Sequence, residues 1–193
     1  IDALVSVFTE GTQSYDAGGA LAGAGTGSGA LLEELMQHPF LAMPPPKSTG
    51  REAFGRILVE EMLAWKNSLS GPDLIRTATA FTAKSVADSL ERFVLPTGPI
   101  GDVVVSGGGT ENPVLMTMLG EALAGIEVVR LETLGIPSEA KEAVAFAVLA
   151  NETLSGRPGN LPRVTGASRP VVLGVIAPGR ACRISVNSEG RIL

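Results

Sequence analysis

The sequence has one cysteine, Cys182, which excludes an internal disulfide framework and a cysteine-rich zinc site and fits a reducing cytoplasm. It has one tryptophan, one tyrosine and six phenylalanines, so aromatic platforms for stacking bases are few. No run of Lys or Arg occurs, and 15 basic against 20 acidic residues leave a formal charge of -5, so the electrostatic footprint of a nucleic-acid binder is missing. No apolar stretch reaches the ~20 residues of a spanning helix, and nothing reads as a signal peptide, so no membrane partner is expected. The single histidine, His38, precedes a proline and reads as a loop or packing residue.

What is present describes a globular protein. Of 193 residues, 45% are hydrophobic and 18% charged, enough for a core in one large or two small domains. The opening IDALVSVF has apolar residues at helical spacing with neither Met nor cap before them. Residue 1 is therefore expected inside a helix ending near Glu10, and the chain is expected to be a fragment. Tyr15 and Asp16 fall in a turn. The glycines of GAGTGSG lack both the spacing and the preceding strand of a dinucleotide fingerprint, and read as loop punctuation between short helical pieces. Pro44 to Pro46 form an extended arm, and Thr49 with Glu52 reads as a capping box. Pro46 stands where a Walker loop needs glycine before Lys47, which rules out a P-loop. Two long helices are expected over 51 to 67 and 72 to 94. Leu74, Ala78, Phe81, Ser85, Ser89 and Phe93 form one stripe of the second.

The stretch VVVSGGGTENP concentrates the functional signal. Its valines predict a strand over 102 to 106 buried on both faces, and Asn112-Pro113 predicts a helix start. A second strand over 127 to 130 completes a β-α-β crossover, which in a parallel sheet puts the glycines at the carboxyl end of a strand. Glycines there let a ligand touch the backbone, and a helix start offers free N-H groups and a favourable dipole. Gly107, Gly108, Gly109 and Asn112 are therefore candidate nucleotide contacts, against the alternative of a plain tight turn with an Asn cap.

A second candidate lies in IPSEAKEAVAFAVLANETLSG. Ala140, Ala143, Ala147, Ala150 and Leu154 form a small-residue stripe that would let a helix approach its neighbours closely. Glu142 stands at its edge, either as a solvated charge favoured by the helix dipole or as a polar group aimed into a cleft.

Taken in order, PPPKSTGRE, VSGGGTENPVLM, GIPSEAKEAVAFAVLA, GRPGNLPRVTGASRPVVLG and VIAPG resemble the carboxyl-terminal half of the anhydro-N-acetylmuramic acid kinases, and YDAGGALA and HPF fit as well. The resemblance implies an α/β fold: the helix-rich, ribonuclease-H-like second lobe of an actin-like ATPase fold, lacking its first strands, with residues 1 to 193 as one carboxyl-terminal lobe. It implies an ATP- and Mg²⁺-dependent kinase that hydrolytically opens 1,6-anhydro-N-acetylmuramate and phosphorylates O6, yielding N-acetylmuramate 6-phosphate in cell-wall recycling. Gly107, Gly108, Gly109 and Asn112 then correspond to the adenosine-side loop, Glu142 to a residue that reaches the sugar, and a homodimer is implied. Thr110 and Glu111 stand where the family often has Ala and a basic residue.

The family's catalytic aspartate belongs to a DTGPGN-type motif expected upstream of Ile1, with the phosphate loop of the first lobe farther upstream. The chain itself is therefore expected to hold no catalytic residue and no metal ligand and to be silent alone, since phosphoryl transfer needs a base and a phosphate cradle. A stand-alone lobe, acting as an interaction module or partner subunit, is the alternative. VTGASRPVVLG and PGNLP argue against another sugar or acetate kinase of the superfamily.

Overall fold

A computed structural model describes residues 1–177. Cys182 and the last two residues of VIAPG lie outside them. The described chain is helix-rich α/β with a small parallel sheet, and it divides into two compact units, the first spanning Ile1–Gly135 and the second beginning at Ile136.

The first unit is organised by α7 (Gly71–Phe93). Its start is strongly specified. The Ser70 side chain accepts from the Asp73 amide, the Asp73 carboxylate accepts from the Ser70 amide, and Pro72 lies in the first turn. Around the first half of α7 pack α1 (Asp2–Phe8), α2 (Ala20–Ala24), α3 (Gly29–Met36), α4 (Pro39–Ala42), α5 (Arg51–Phe54) and α6 (Arg56–Leu63). Leu4, Val5, Leu31, Leu35, Met62, Leu74 and Ile75 form the centre of this core. Thr77, Thr79 and Thr82 return their hydroxyls to the carbonyls four residues back, so small polar residues enter the helix flank with their donors satisfied.

GAGTGSG is a loop docked on the start of α7. Thr26 donates from its amide (2.7 Å) and hydroxyl (2.9 Å), and Gly27 from its amide (3.2 Å), to Asp73 Oδ1, while the Ser28 amide donates to Thr77 Oγ1 (2.9 Å). The bond from the Ser70 hydroxyl, then those from Thr26 and the Ser70 amide, hold the Asp73 carboxyl well below the usual carboxylate range. His38 caps α4, its Nδ1 accepting from the Phe40 amide, and its ring packs 4.7 Å from that of Phe54. Lys47 donates to the carbonyls of Phe40 (3.0 Å) and Leu41 (3.1 Å) and stands 4.8 Å from the ring centres of Phe40 and Phe93. Its ammonium ties the proline arm to α4 and α7.

Two expectations for this region are corrected. Thr49 and Glu52 form no capping box: Gly50 precedes α5, with no side-chain cap. The helix expected over 51 to 67 is broken at Gly55, whose backbone (φ -113°, ψ -126°) leaves the helical region and separates α5 from α6. The apolar spacing of Phe54, Leu58 and Met62 continues across the break and hides it from periodicity.

β1 (Asp102–Val105) and β2 (Glu127–Arg130) run parallel, joined by α8 (Pro113–Ala122). Val103, Val105 and Val128 pack with Leu119 and Leu123 against Ala83 and Ala87 of α7, forming a second core. Alanine at these α7 positions leaves room for α8. The expected burial of β1 on both faces is not found: alternate residues are exposed, Val104 by 43%, because among the described residues α8 covers one face only.

The second unit contains α9 (Lys141–Leu154) and α10 (Pro162–Thr165). Asn160 links the loops on either side of α10 by accepting from the Val171 amide (2.7 Å) and donating to the Arg169 carbonyl (3.1 Å), and the Thr153 hydroxyl donates to the Leu173 carbonyl (2.6 Å). Among the described residues the small-residue stripe of α9 does not make the close packing expected of it. No residue of α9 is buried, and Phe146 is 70% exposed.

Candidate functional site

β1 ends at Val105, and the chain turns at Gly107 with φ 98° and ψ 176°. That positive φ requires glycine or strains any other residue. Gly108–Glu111 then form one 3-10 turn, closed by Thr110, whose amide (3.0 Å) and hydroxyl (2.7 Å) both donate to the Gly107 carbonyl. A Cβ placed on Gly107 or Gly108 would meet nothing within 4 Å, so the backbone is bare on that side.

Asn112 joins the turn to α8. It is buried, and its Oδ1 accepts from the amides of Val114 (3.0 Å) and Leu115 (3.1 Å). Pro113 has no amide hydrogen, and the Met116 amide donates to the Asn112 carbonyl. The amides at the start of α8 are therefore all accounted for. This corrects the expectation that the helix start offers free N-H groups to a ligand: the Asn cap takes them, and what remains accessible is the glycine backbone before it.

The turn faces a cleft of about 650 Å³ whose walls include Tyr15, Asp16, Gly108, Gly109, Glu111 and Asn112. Asp16 is held in place because its two carboxylate oxygens accept from the amides of Leu21 (2.8 Å) and Ala22 (3.0 Å) at the start of α2. Gly19 follows so closely on Asn112 that a Cβ there would stand 2.5 Å from Oδ1. YDAGG and GGGTENP, far apart in sequence, thus meet as two walls of one space. Tyr15 is 60% exposed. Asp2, Asp16 and Glu111 bring three carboxylates to the lining, which has no Lys or Arg among the described residues. Such a wall offers acceptors to a hydrogen-bonding ligand and no Lys or Arg side chain of its own to a phosphate. Behind the turn lies a smaller, mostly apolar cavity of about 150 Å³, between Thr82 and Val86 of α7 and Val105, Thr110, Leu115 and Leu119.

Gly108, Gly109 and Asn112 therefore line one cleft, and Gly107 sets the direction of their turn. Glu142 lies in the second unit, on the exposed first turn of α9. Sequence reasoning placed Tyr15 and Asp16 in a turn without joining them to the glycines, and it missed Arg130. Arg130 Nη2 donates to the Thr110 carbonyl (2.6 Å) and Nη1 to Glu111 Oε1 (3.0 Å). Among the described residues no three or more His, Cys, Asp or Glu side chains converge as a metal-binding group, and no helix is long and apolar enough to cross a membrane.

Comparison with known proteins places this geometry in a family. The model of the family described as anhydro-N-acetylmuramic acid kinase matches residues 1–179. The curated anhydro-N-acetylmuramic acid kinase of Rhodococcus erythropolis is 47% identical over 179 residues, covering 93% of this chain and 44% of the relative. That of Caldanaerobacter subterraneus subsp. tengcongensis is 42% identical, with 92% and 45% covered, and that of Streptomyces avermitilis 44% identical, with 93% and 46% covered. The chain spans a little under half the length of these relatives. A match that runs through both units and takes in the glycine turn, its asparagine cap and the α9 segment shows that the chain belongs to the anhydro-N-acetylmuramic acid kinase family.

Proposed function

We propose that this chain is the carboxyl-terminal, ribonuclease-H-like lobe of an ATP-dependent amino-sugar kinase with an actin-like fold. The full-length protein hydrolytically opens the 1,6-anhydro bridge of anhydro-N-acetylmuramate and transfers the γ-phosphoryl group of ATP to O6, in the cytoplasm, during cell-wall recycling. The observation that carries this reading is the bare glycine turn at the carboxyl end of β1, facing a cleft with acidic walls. A parallel α/β sheet receives nucleotides at such a strand end.

The residues fit the adenosine part of ATP better than its phosphates. Gly107, Gly108 and Gly109 let a flat ring or ribose approach the main chain, and the Asn112 cap keeps α8 from competing as an anion site. The carboxylates of Asp2 and Glu111 on the cleft wall can accept from hydroxyl or amino groups, and the wall has no Lys or Arg among the described residues to hold phosphate. The phosphates and the Mg²⁺ that accompanies them belong against the other lobe, together with the aspartate that activates water. Glu142, exposed on the first turn of α9, serves the sugar side in the assembled protein. A homodimer is part of the same proposal.

ADP release with anhydro-N-acetylmuramate tests the proposal, on the 193-residue chain and on a form extended upstream through the DTGPGN-type motif and the first lobe. Release by the extended form alone is the expected result. An extended form that binds ATP yet releases no ADP with this sugar would sink the kinase reading in favour of an interaction module.

A further inference from the structure

We propose that Arg130 is a positioning residue that holds the glycine turn in its ligand-receiving shape, an inference that rests on reading that turn as the adenosine wall. The parallel register pairs Arg130 with Val105, the last residue of β1, so the side chain at the carboxyl end of β2 stands beside the turn that follows β1. From there one guanidinium serves two acceptors on consecutive residues, the Thr110 carbonyl at 2.6 Å and the Glu111 carboxylate at 3.0 Å. The planar fork of donors holds both in one fixed geometry.

The turn's own bonds, from Thr110 to the Gly107 carbonyl, close it upon itself, whereas the two from Arg130 join it to the neighbouring strand. Thr110 is 4% exposed, its amide and hydroxyl donating to the Gly107 carbonyl and its own carbonyl accepting from Arg130. Glu111 lines the cleft, and its pairing with Arg130 draws the carboxylate toward β2. The pair is well exposed, 43% for Arg130 and 76% for Glu111, and such pairs add little to folding stability. Loss of Arg130 should therefore be read in ligand binding before it is read in stability.

The test uses the extended protein carrying Arg130→Ala, Arg130→Lys or Gly108→Val, with KM for ATP, KM for the sugar, kcat and melting temperature measured for each. Arg130→Ala is expected to raise KM for ATP about tenfold, with most of the loss in that constant, since displacing a binding wall weakens what it contacts. Lysine, which keeps the charge and donors without the rigid planar fork, should recover part of the loss, and the melting temperature should stay with the parent. If Gly108→Val raises KM for ATP while Arg130→Ala leaves it within about twofold, Arg130 positions nothing and the inference alone fails. If Arg130→Ala and Arg130→Lys lower kcat and melting temperature together without a selective change for ATP, Arg130 is merely structural and the inference again fails. If neither Gly108→Val nor Arg130→Ala changes KM for ATP, the adenosine-wall reading is wrong and the inference falls with it.

Discussion

Asn112 decides what kind of ligand the glycine turn can serve. Its Oδ1 occupies two amides in the first turn of α8, so the positive end of that helix is already answered by a neutral side chain. Asn112→Ala is expected to lower stability by about 1–2 kcal/mol in urea unfolding, and Asn112→Asp, which keeps the accepting oxygen, by much less. The Asn-Pro pair made this cap legible in the sequence, because the two residues have separate reasons to start a helix. Its consequence for free amides was not legible, since that depends on where Oδ1 points. Arg130 was invisible for a related reason: its meaning comes from a parallel register that puts it opposite Val105, and no local pattern around VVRLE shows that.

At the scale of elements, α7 gathers both cores of the first unit, and its start is where pH enters. Asp73 accepts from Ser70, Thr26 and Gly27, and these bonds depress its titration below the ordinary value of 3.8. The sign follows from linkage: the unfolded chain takes up the proton first as pH falls, so the stability Asp73 contributes is fully present above 3.8 and is lost in more acid solution. Melting temperatures of the parent and Asp73→Asn should therefore differ most near neutrality and converge as pH drops below that value. The sequence revealed α7 through its long stripe, but placed the capping box at Thr49 and Glu52 when it is Ser70 and Asp73 that form one. Both pairs have the required spacing. The second also has Thr26 and Gly27 brought to it by the fold, a tertiary reason that spacing does not contain.

For the whole molecule, the strand, glycine turn and helix followed from valines, glycines and Asn-Pro in one line, and the family from ordered motifs that run the length of the match. What was not legible is burial. The valines of β1 and the alanine stripe of α9 are written for closer packing than the described chain gives them, with Val104 and Phe146 both exposed. In the kinase reading, the rest of the full-length protein supplies the missing neighbours, and the glycine turn contributes one wall of a site completed elsewhere. That division of labour is tested most directly by comparing adenosine, ATP and tripolyphosphate binding to the extended protein with and without Gly108→Val. Gly108 has no positive φ and nothing within 4 Å of its would-be Cβ, so valine fits the turn and projects into the space assigned to the ligand. Adenosine and ATP should weaken together by about tenfold while tripolyphosphate is unchanged. Unaltered adenosine binding, or a loss confined to tripolyphosphate, would contradict the placement of the nucleoside at this turn.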